Sequence, residues 1–419
     1  MTAELTRGAS DDHRDDDQGS VAAIKVFYPL SVAAGLTLGL TAPLTAVLAV
    51  ELGADPFAAS ASVASLTAVV LLLDLFGTRL LPFLEPRRAI TVGMLLWAVG
   101  SFGSAVAPSF VIMAAARLVQ GVGLALYASA GPQLAIRLTG SHRVGTAIGR
   151  FQAAMTLGSA VAPLSGGAVS TLGAGTFGLR LAFAVCGGLA VVCAAVAWFG
   201  LPTLRHPKAG GAIRPRWSLP RLPGLARPRP VLALCLGAIG QGARGAVALM
   251  AVPLIAAEVL GLGGGWLGIF LTAMYAVEVA AMAFGGGYSD RNGRRTMIIA
   301  GTVFGLTGVV VLAVAVHTAA AAVFFAALVP LGLAGGCMLS LLPAVLVDLA
   351  GTPEVGLSAT RISRDLGFTG CTLAAGAMIT VAGAAGALVL IAIMFAVVAA
   401  GIMIVGETRS PGPASRSRS

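Results

Sequence analysis

The run Gly286-Gly287-Tyr288-Ser289-Asp290-Arg291-Asn292-Gly293-Arg294-Arg295 stands between two long apolar stretches. It packs three glycines, three arginines and one aspartate into ten residues. Glycine tolerates positive φ at little cost, so the run reads as a tight reversal between two helices. Arginines at a membrane edge favour the cytoplasmic side. Asp290 is near enough in sequence to pair with those arginines or to cap a helix N-terminus.

The rest of the chain agrees that the stretches on either side are membrane spans. Of 419 residues, 57% are hydrophobic and 11% charged, with a mean hydropathy of +0.93. A soluble domain carries about 25% charged residues. The formal charge of +10 is not a nucleic-acid signature, because the Lys and Arg sit in short segments between apolar runs. The five cysteines, Cys186, Cys193, Cys235, Cys337 and Cys371, lie inside apolar segments and form no C-x-x-C. They read as packing residues. The four histidines, His13, His142, His206 and His317, show no metal-ligand spacing. There is no G-x-x-x-x-G-K-[ST] string for a nucleotide.

Twelve spans are expected, at residues 26–50, 57–80, 89–107, 110–136, 144–172, 178–201, 231–260, 266–288, 296–316, 319–349, 355–382 and 385–405. Each is long enough for a helix to cross about 30 Å of hydrocarbon, and too uniformly apolar for a barrel strand. The cations gather in alternate loops: Arg87 and Arg88, Arg137 and Arg143, then Arg291, Arg294 and Arg295. The opposite loops hold Glu51, Asp55, Glu258 and one arginine, Arg180. Both termini are therefore expected in the cytoplasm. The domain plan is an acidic cytoplasmic tail at 1–25, a six-helix bundle at 26–201, a basic linker at 202–230, a second six-helix bundle at 231–405 and a cytoplasmic tail at 406–419. The first tail lacks the apolar core of a signal peptide.

The two bundles repeat. Pro43-Leu44 recurs as Pro253-Leu254, Leu66-Thr67-Ala68 as Leu271-Thr272-Ala273, Arg87-Arg88 as Arg294-Arg295, and Arg150 as Arg361. Their shared offset is close to half the chain. Two parallel six-helix repeats are a transporter architecture, with the substrate site near the midplane between them.

Three motifs carry a family resemblance. The opening run resembles the G-x-x-x-D-R-x-G-R-R loop signature of the major facilitator superfamily. The fourth span contains Arg117-Leu118-Val119-Gln120-Gly121, which resembles that family's R-x-x-Q-G element. The fifth contains Gly158-Ser159-Ala160-Val161-Ala162-Pro163-Leu164-Ser165-Gly166-Gly167, which resembles its antiporter motif with Ala162 in place of one glycine. The resemblance implies an all-α membrane fold of two pseudo-symmetric six-helix bundles. It also implies the twelve-helix branch of drug:proton antiporters. In that setting Gly286, Asp290, Arg291, Gly293, Arg294 and Arg295 form a gating loop, and Gly158, Pro163, Gly166 and Gly167 shape the fifth helix. The loop at 77–88 keeps Gly77 and the Arg87-Arg88 pair but lacks the aspartate of the pattern.

Charged residues inside spans are costly and are functional by default. Arg117 and Gln120 share a helix face, although Arg117 could also snorkel to the interface. Arg244, with Gln241 one turn earlier, stands fourteen residues beyond Pro230, hence ~21 Å along a helix and near the midplane. Glu278 lies at similar depth on the next span, so the two could meet. These four, Arg117, Gln120, Gln241 and Arg244, are the candidate substrate-binding residues. Glu278 and Asp74 are the candidate proton carriers, because burial disfavours the charged form of a lone carboxylate. Glu278 is equally readable as a structural partner for a buried arginine, and Asp74 leans toward a structural role because Arg79 is near. Arg361, Arg364 and Asp365, read near the inner end of the eleventh span, suit a gate network.

The expected function is a proton-coupled exporter of small organic molecules in the cell (inner) membrane, working by alternating access. An importer or uniporter of the same fold, for an anionic or other small organic solute, is the alternative. The expected partners are a small-molecule substrate and the lipid bilayer, with no nucleic acid. The chain is read as a monomer that is not an enzyme and that uses protons but no cofactor or metal.

Overall fold

The computed structural model describes residues 23–76, 85–139, 144–173, 175–203, 227–350 and 353–408. Among them every regular element is helical. The first six are α1 (Ala23–Glu51), α2 (Pro56–Phe76), α3 (Pro86–Val106), α4 (Phe110–Thr139), α5 (Val144–Ser170) and α6 (Thr176–Gly200). The second six are α7 (Pro228–Val259), α8 (Gly264–Asn292), α9 (Arg294–Thr318), α10 (Ala321–Leu349), α11 (353–382) and α12 (384–405). The last two are divided at Gly383, whose φ of 66° and ψ of −168° break the helix.

The spans read from hydropathy fall on these helices. Among the described residues, ten helical stretches are long and apolar enough to cross a membrane, the last of them covering both α11 and α12. Helix α5 is outside that set, being diluted by Arg150, Gln152, Thr156, Ser159 and Ser165. Large apolar side chains such as Val106, Leu157, Phe199, Phe284 and Val381 lie exposed on the outside of the bundle. That is the surface of a protein solvated by lipid. The interior of the proposed linker, 204–226, lies outside the described residues, as do residues 77–84 with Arg79.

Helix pairing repeats between the halves. Helix α3 packs on α4 and α6, and α2 packs on α4. Correspondingly α9 packs on α10 and α12, and α8 packs on α10. Because both halves hold an even number of crossings, the chain enters and leaves at one end of the bundle, here called the termini end.

Helix α7 is irregular. It is α-helical from Pro228 to Ala246 and π-helical over Val247–Ala251. One α turn at Val252–Leu254 follows, and then a second π segment at Ile255–Val259. Pro253 lies between the two π segments, where its missing N–H cannot complete the regular ladder.

The opening run corrects its own reading. It is not a loop: α8 continues through Asn292, and the reversal is made by Gly293 alone, with φ 95°. Only glycine adopts that torsion cheaply, so α9 starts at the next residue.

Candidate functional site

Helices α7 and α8 bring Arg244 and Glu278 together. Arg244 is sixteen residues into α7 and Glu278 fourteen into α8. At 1.5 Å per residue these are depths of ~24 and ~21 Å, each about halfway through its helix. Arg244 Nε donates to Glu278 Oε1 at 2.8 Å, and Nη2 lies 2.6 Å from the same oxygen. Glu278 is buried, while the Arg244 side chain keeps 17% of its surface exposed. The guanidinium also lies 5.8 Å from the ring centroids of Tyr275 on α8 and Phe368 on α11. Aromatic faces attract such a cation. Opposite Glu278, α10 presents Gly335, where a Cβ would come within 2.8 Å of Oε2. Gln241, one turn before Arg244, donates from Nε2 to the Met338 carbonyl of α10 at 3.0 Å. Its Oε1 is buried and has no partner.

Arg117 and Gln120 are organised differently. Arg117 Nη1 donates to Gln120 Oε1 at 2.7 Å, and Gln120 Nε2 donates to Ser101 Oγ of α3 at 2.7 Å. Ser101 Oγ is 3.5 Å from the Cys186 sulfur of α6, to which Trp97 Nε1 donates at 3.4 Å. The thiol in turn reaches the Thr37 carbonyl of α1 at 3.2 Å. Arg117 and Gln120 are both buried, so Arg117 does not snorkel. Among the described hydrogen bonds none joins this network to Arg244 or Glu278. It ties α1, α3, α4 and α6 together within the first half. Cys186 is thus part of a polar network, beyond the packing role its apolar setting suggests. Cys235, also read as a packing residue, is exposed.

The Gly-Arg-Arg end of the opening run is held by two carboxylates. Arg294 Nε lies 2.9 Å from Asp348 Oδ2 at the end of α10. Glu407, just past α12, accepts the backbone N–H of Arg294 at 2.8 Å and of Arg295 at 3.2 Å. A carboxylate there satisfies donors that a helix start leaves free and complements the positive end of the helix dipole. Thr408 Oγ1 adds a bond to Asp348 Oδ2 at 3.1 Å. Arg291 is exposed. The Asp290 side chain, His142 and Arg143 lie outside the described residues. The sequence reading missed Asp348 and Glu407. Their signal was available: each is a lone acid at the same end of the bundle as the arginine pair. In the first half, Arg87 instead reaches the Leu201 carbonyl at 3.4 Å and the Trp198 ring at 4.7 Å. Arg88 pairs with Glu85 at 3.2 Å.

The halves meet toward the end opposite the termini. Phe57 N donates to Thr380 Oγ1 at 3.0 Å, and the Thr67 and Thr369 hydroxyls are 3.0 Å apart. These contacts join α2 to α11. Helix α5 meets α8 through the motif of the fifth span: a Cβ on Gly167 would come within 2.8 Å of the Gly268 Cα, and Gly268 lies under the Pro163 carbonyl. Gly158 and Gly166 of the same motif lie instead against Val32 and Leu40 of α1. A small apolar cluster of Ala46, Val63, Met250 and Leu254 completes the seam.

Arg364 Nε donates to Asp365 Oδ1 at 2.8 Å, and Asp365 is buried. Asp365 lies twelve residues into α11, hence ~18 Å from its start. That is in the half of α11 nearer its start. Asp74 falls within α2, and its side chain lies outside the described residues. Among the described residues no group of His, Cys, Asp and Glu is arranged to hold a metal.

Comparison with known proteins agrees with this architecture. The sequence profile of the Major Facilitator Superfamily matches residues 27–369. The "Inner membrane transport protein YdhP" of Escherichia coli K12 is 27% identical over 166 residues, and its O157:H7 counterpart matches equally. The match spans 40% of this chain and 40% of those relatives' length. Among solved structures, a mutant of the nucleoside transporter NupG superposes with a TM-score of 0.68 at 15% identity, covering 92% of this chain and 99% of that one. A bacterial homologue of the human lysosomal transporter Spinster, inward-facing and unoccupied, gives 0.66 at 14% identity, covering 93% and 95%.

Proposed function

The chain belongs to the major facilitator superfamily of transporters, and from that premise we propose that it is a proton-coupled exporter of small organic molecules. The observation that carries this reading is the Arg244–Glu278 pair, buried halfway through the second bundle at 2.6 Å. Protonation of Glu278 removes the charge that holds the guanidinium, and so couples the proton to the binding or release of a substrate by Arg244. Loss of the proton restores the pair and returns the site to rest. The antiporter-like motif of α5 supports export, because Pro163 and Gly167 lie at the contact with α8 in the seam between the halves.

The seam toward the far end supports a conformation accessible from the termini end. With the cation distribution placing that end in the cytoplasm, the state is cytoplasm-facing. The Arg294–Asp348–Glu407 cluster then acts as a cytoplasmic latch within the second bundle. The protein works as a monomer in the inner membrane, with protons as its coupling ion.

The test is reconstitution into vesicles loaded with a fluorescent dye substrate, with and without an imposed proton gradient. Gradient-dependent dye movement together with counter-movement of protons is the expected result. Dye movement that ignores the gradient would leave a uniporter.

A further inference from the structure

We propose that the Arg244–Glu278 site selects cargo by net charge. It accepts a monoanion together with one proton, or a zwitterion, and it rejects a simple cation. This rests on the transporter reading above and names the substrate class of the same site.

Charge balance in a buried place sets this selectivity. At rest the site holds one fixed positive and one negative group, joined through a single oxygen, Glu278 Oε1, at 2.6 and 2.8 Å. The two groups differ in kind. A guanidinium does not give up its proton in a protein, whereas a carboxylate can gain one. The positive member is therefore permanent and the negative member is optional.

Consider each cargo in turn. A monoanion that takes over the Nε and Nη2 donors displaces Glu278, which must stay buried without its cation unless it is protonated. Protonation of the Glu278 carboxylate removes that penalty, so the anion binds together with one proton, a co-transport that belongs to the importer alternative of the same fold, whereas the zwitterion suits exchange for a proton. A zwitterion supplies its own carboxylate to Arg244 and its own ammonium to Glu278, and no proton is needed. A cation can only pair with Glu278, and it leaves Arg244 as a buried charge without an anion. Removing one partner of a buried pair is strongly unfavourable, because it leaves an uncompensated charge in the interior.

Among the described residues, Glu278 is the carboxylate in contact with Arg244. Among the described residues, the groups facing the pair are Tyr275 on α8, Phe368 on α11 and Gly335 on α10. Gln241, the neighbour of Arg244 on α7, is neutral and is held by the Met338 carbonyl. Among the described residues, the ionisable groups beside Glu278 are Arg244 and Tyr275. The two rings beside the guanidinium also give a flat part of the cargo a surface to stack on.

The experiment uses purified full-length protein in detergent and four probes of similar size: 3-phenylpropanoate, phenylalanine, 2-phenylethylamine and 2-phenylethanol. Binding is read by thermal stabilisation and equilibrium dialysis at about pH 5.5 and about pH 8. Expected for the wild type is 3-phenylpropanoate binding that weakens about tenfold or more at the higher pH, with phenylalanine little affected and 2-phenylethylamine weakest of the four. Glu278→Gln keeps anion binding but abolishes its pH dependence. Arg244→Gln inverts the preference, so that 2-phenylethylamine binds and 3-phenylpropanoate does not.

A wild type that binds the amine as tightly as the acid overturns the proposal. So does failure of all four probes on folded protein, or a Glu278→Gln variant whose anion binding keeps its pH dependence. Each of these outcomes leaves the transporter reading standing, because that reading is judged separately by dye and proton movement across vesicles. Should Arg244→Gln fail to fold, Glu278→Gln decides alone.

Discussion

Glu407, beyond the last helix, places its carboxylate under the first two backbone N–H groups of α9, 2.8 Å from that of Arg294. The chain can approach so closely because Gly293 has no side chain: a Cβ there would come within 2.5 Å of Glu407 Oε2. The last described residues are thereby bound to the start of α9, and through Arg294 and Thr408 to Asp348 at the end of α10. Gly293→Ala is expected to suffer both the strained φ and the clash, at a cost of about 2 kcal/mol or more. Glu407→Ala removes a cap and is expected to cost about 1 kcal/mol. Thermal unfolding in detergent measures both. Equal stability of Gly293→Ala and wild type would show that the turn is not specified there.

Glu278→Gln separates a switch from a fixed strut. A switch predicts a folded protein whose transport no longer responds to pH. A strut predicts a loss of about 3 kcal/mol or more in stability, as for a broken buried pair, partly restored by adding Arg244→Gln. Proteoliposome uptake across a pH series, paired with melting curves of both variants, distinguishes them. Transport with normal pH dependence in Glu278→Gln ends the coupling proposal.

The Thr67 and Thr369 hydroxyls, 3.0 Å apart, bridge the two halves. A Thr67→Cys/Thr369→Cys pair is expected to cross-link under mild oxidation and to hold the halves together near the middle of α2 and α11. Transport should stop on oxidation and recover on reduction. Full transport by a quantitatively cross-linked protein would show that this seam does not open.

Gly167 and Gly268 set the distance between α5 and α8. Gly268→Leu is expected to push the helices apart and to favour the state open at the far end. A cysteine at Ser60, buried beside Gly376, should then react with an impermeant thiol reagent several-fold faster than in a Gly268 background. An unchanged labelling rate would show that the glycine contact does not close this end.

Most of the architecture was legible because hydropathy and loop charge are properties of whole segments, which tolerate errors of a few residues. Helix α5 was found from sequence although its polar residues make it the least apolar span. The meeting of Arg244 and Glu278 was legible from depth alone: equal distances along adjacent helices put the groups at one level. Depth says nothing of rotation, and there the reading fell short. Arg117 and Gln120 were read as substrate-binding residues alongside Arg244, yet Arg117 bonds to Gln120 and Gln120 to Ser101. The direction of a polar face in an all-apolar helix depends on which neighbours carry complementary groups, and Ser101 lies nineteen residues away in another helix. Asp348 and Glu407 escaped notice for the same reason, since their partners come from sequence-distant helix ends. The Gly293 turn was masked by its neighbours, because glycine-rich sequence reads as loop even where α8 simply runs on.

The two π segments of α7 bear on how this chain can vary in length. Each π turn takes up more residues than an α turn, so residues beyond Val247 are rotated from where a regular helix would carry them. That rotation brings Met250 and Leu254 onto Ala46 and Val63 of the other half. Loss of one residue between Ala246 and Val252 would let the helix relax into ordinary α geometry, and α7 itself would survive. The apolar row would then swing away from α1, taking part of the closure with it. The far half of α7 is thus a place where a deletion harmless to secondary structure alters how two bundles fit.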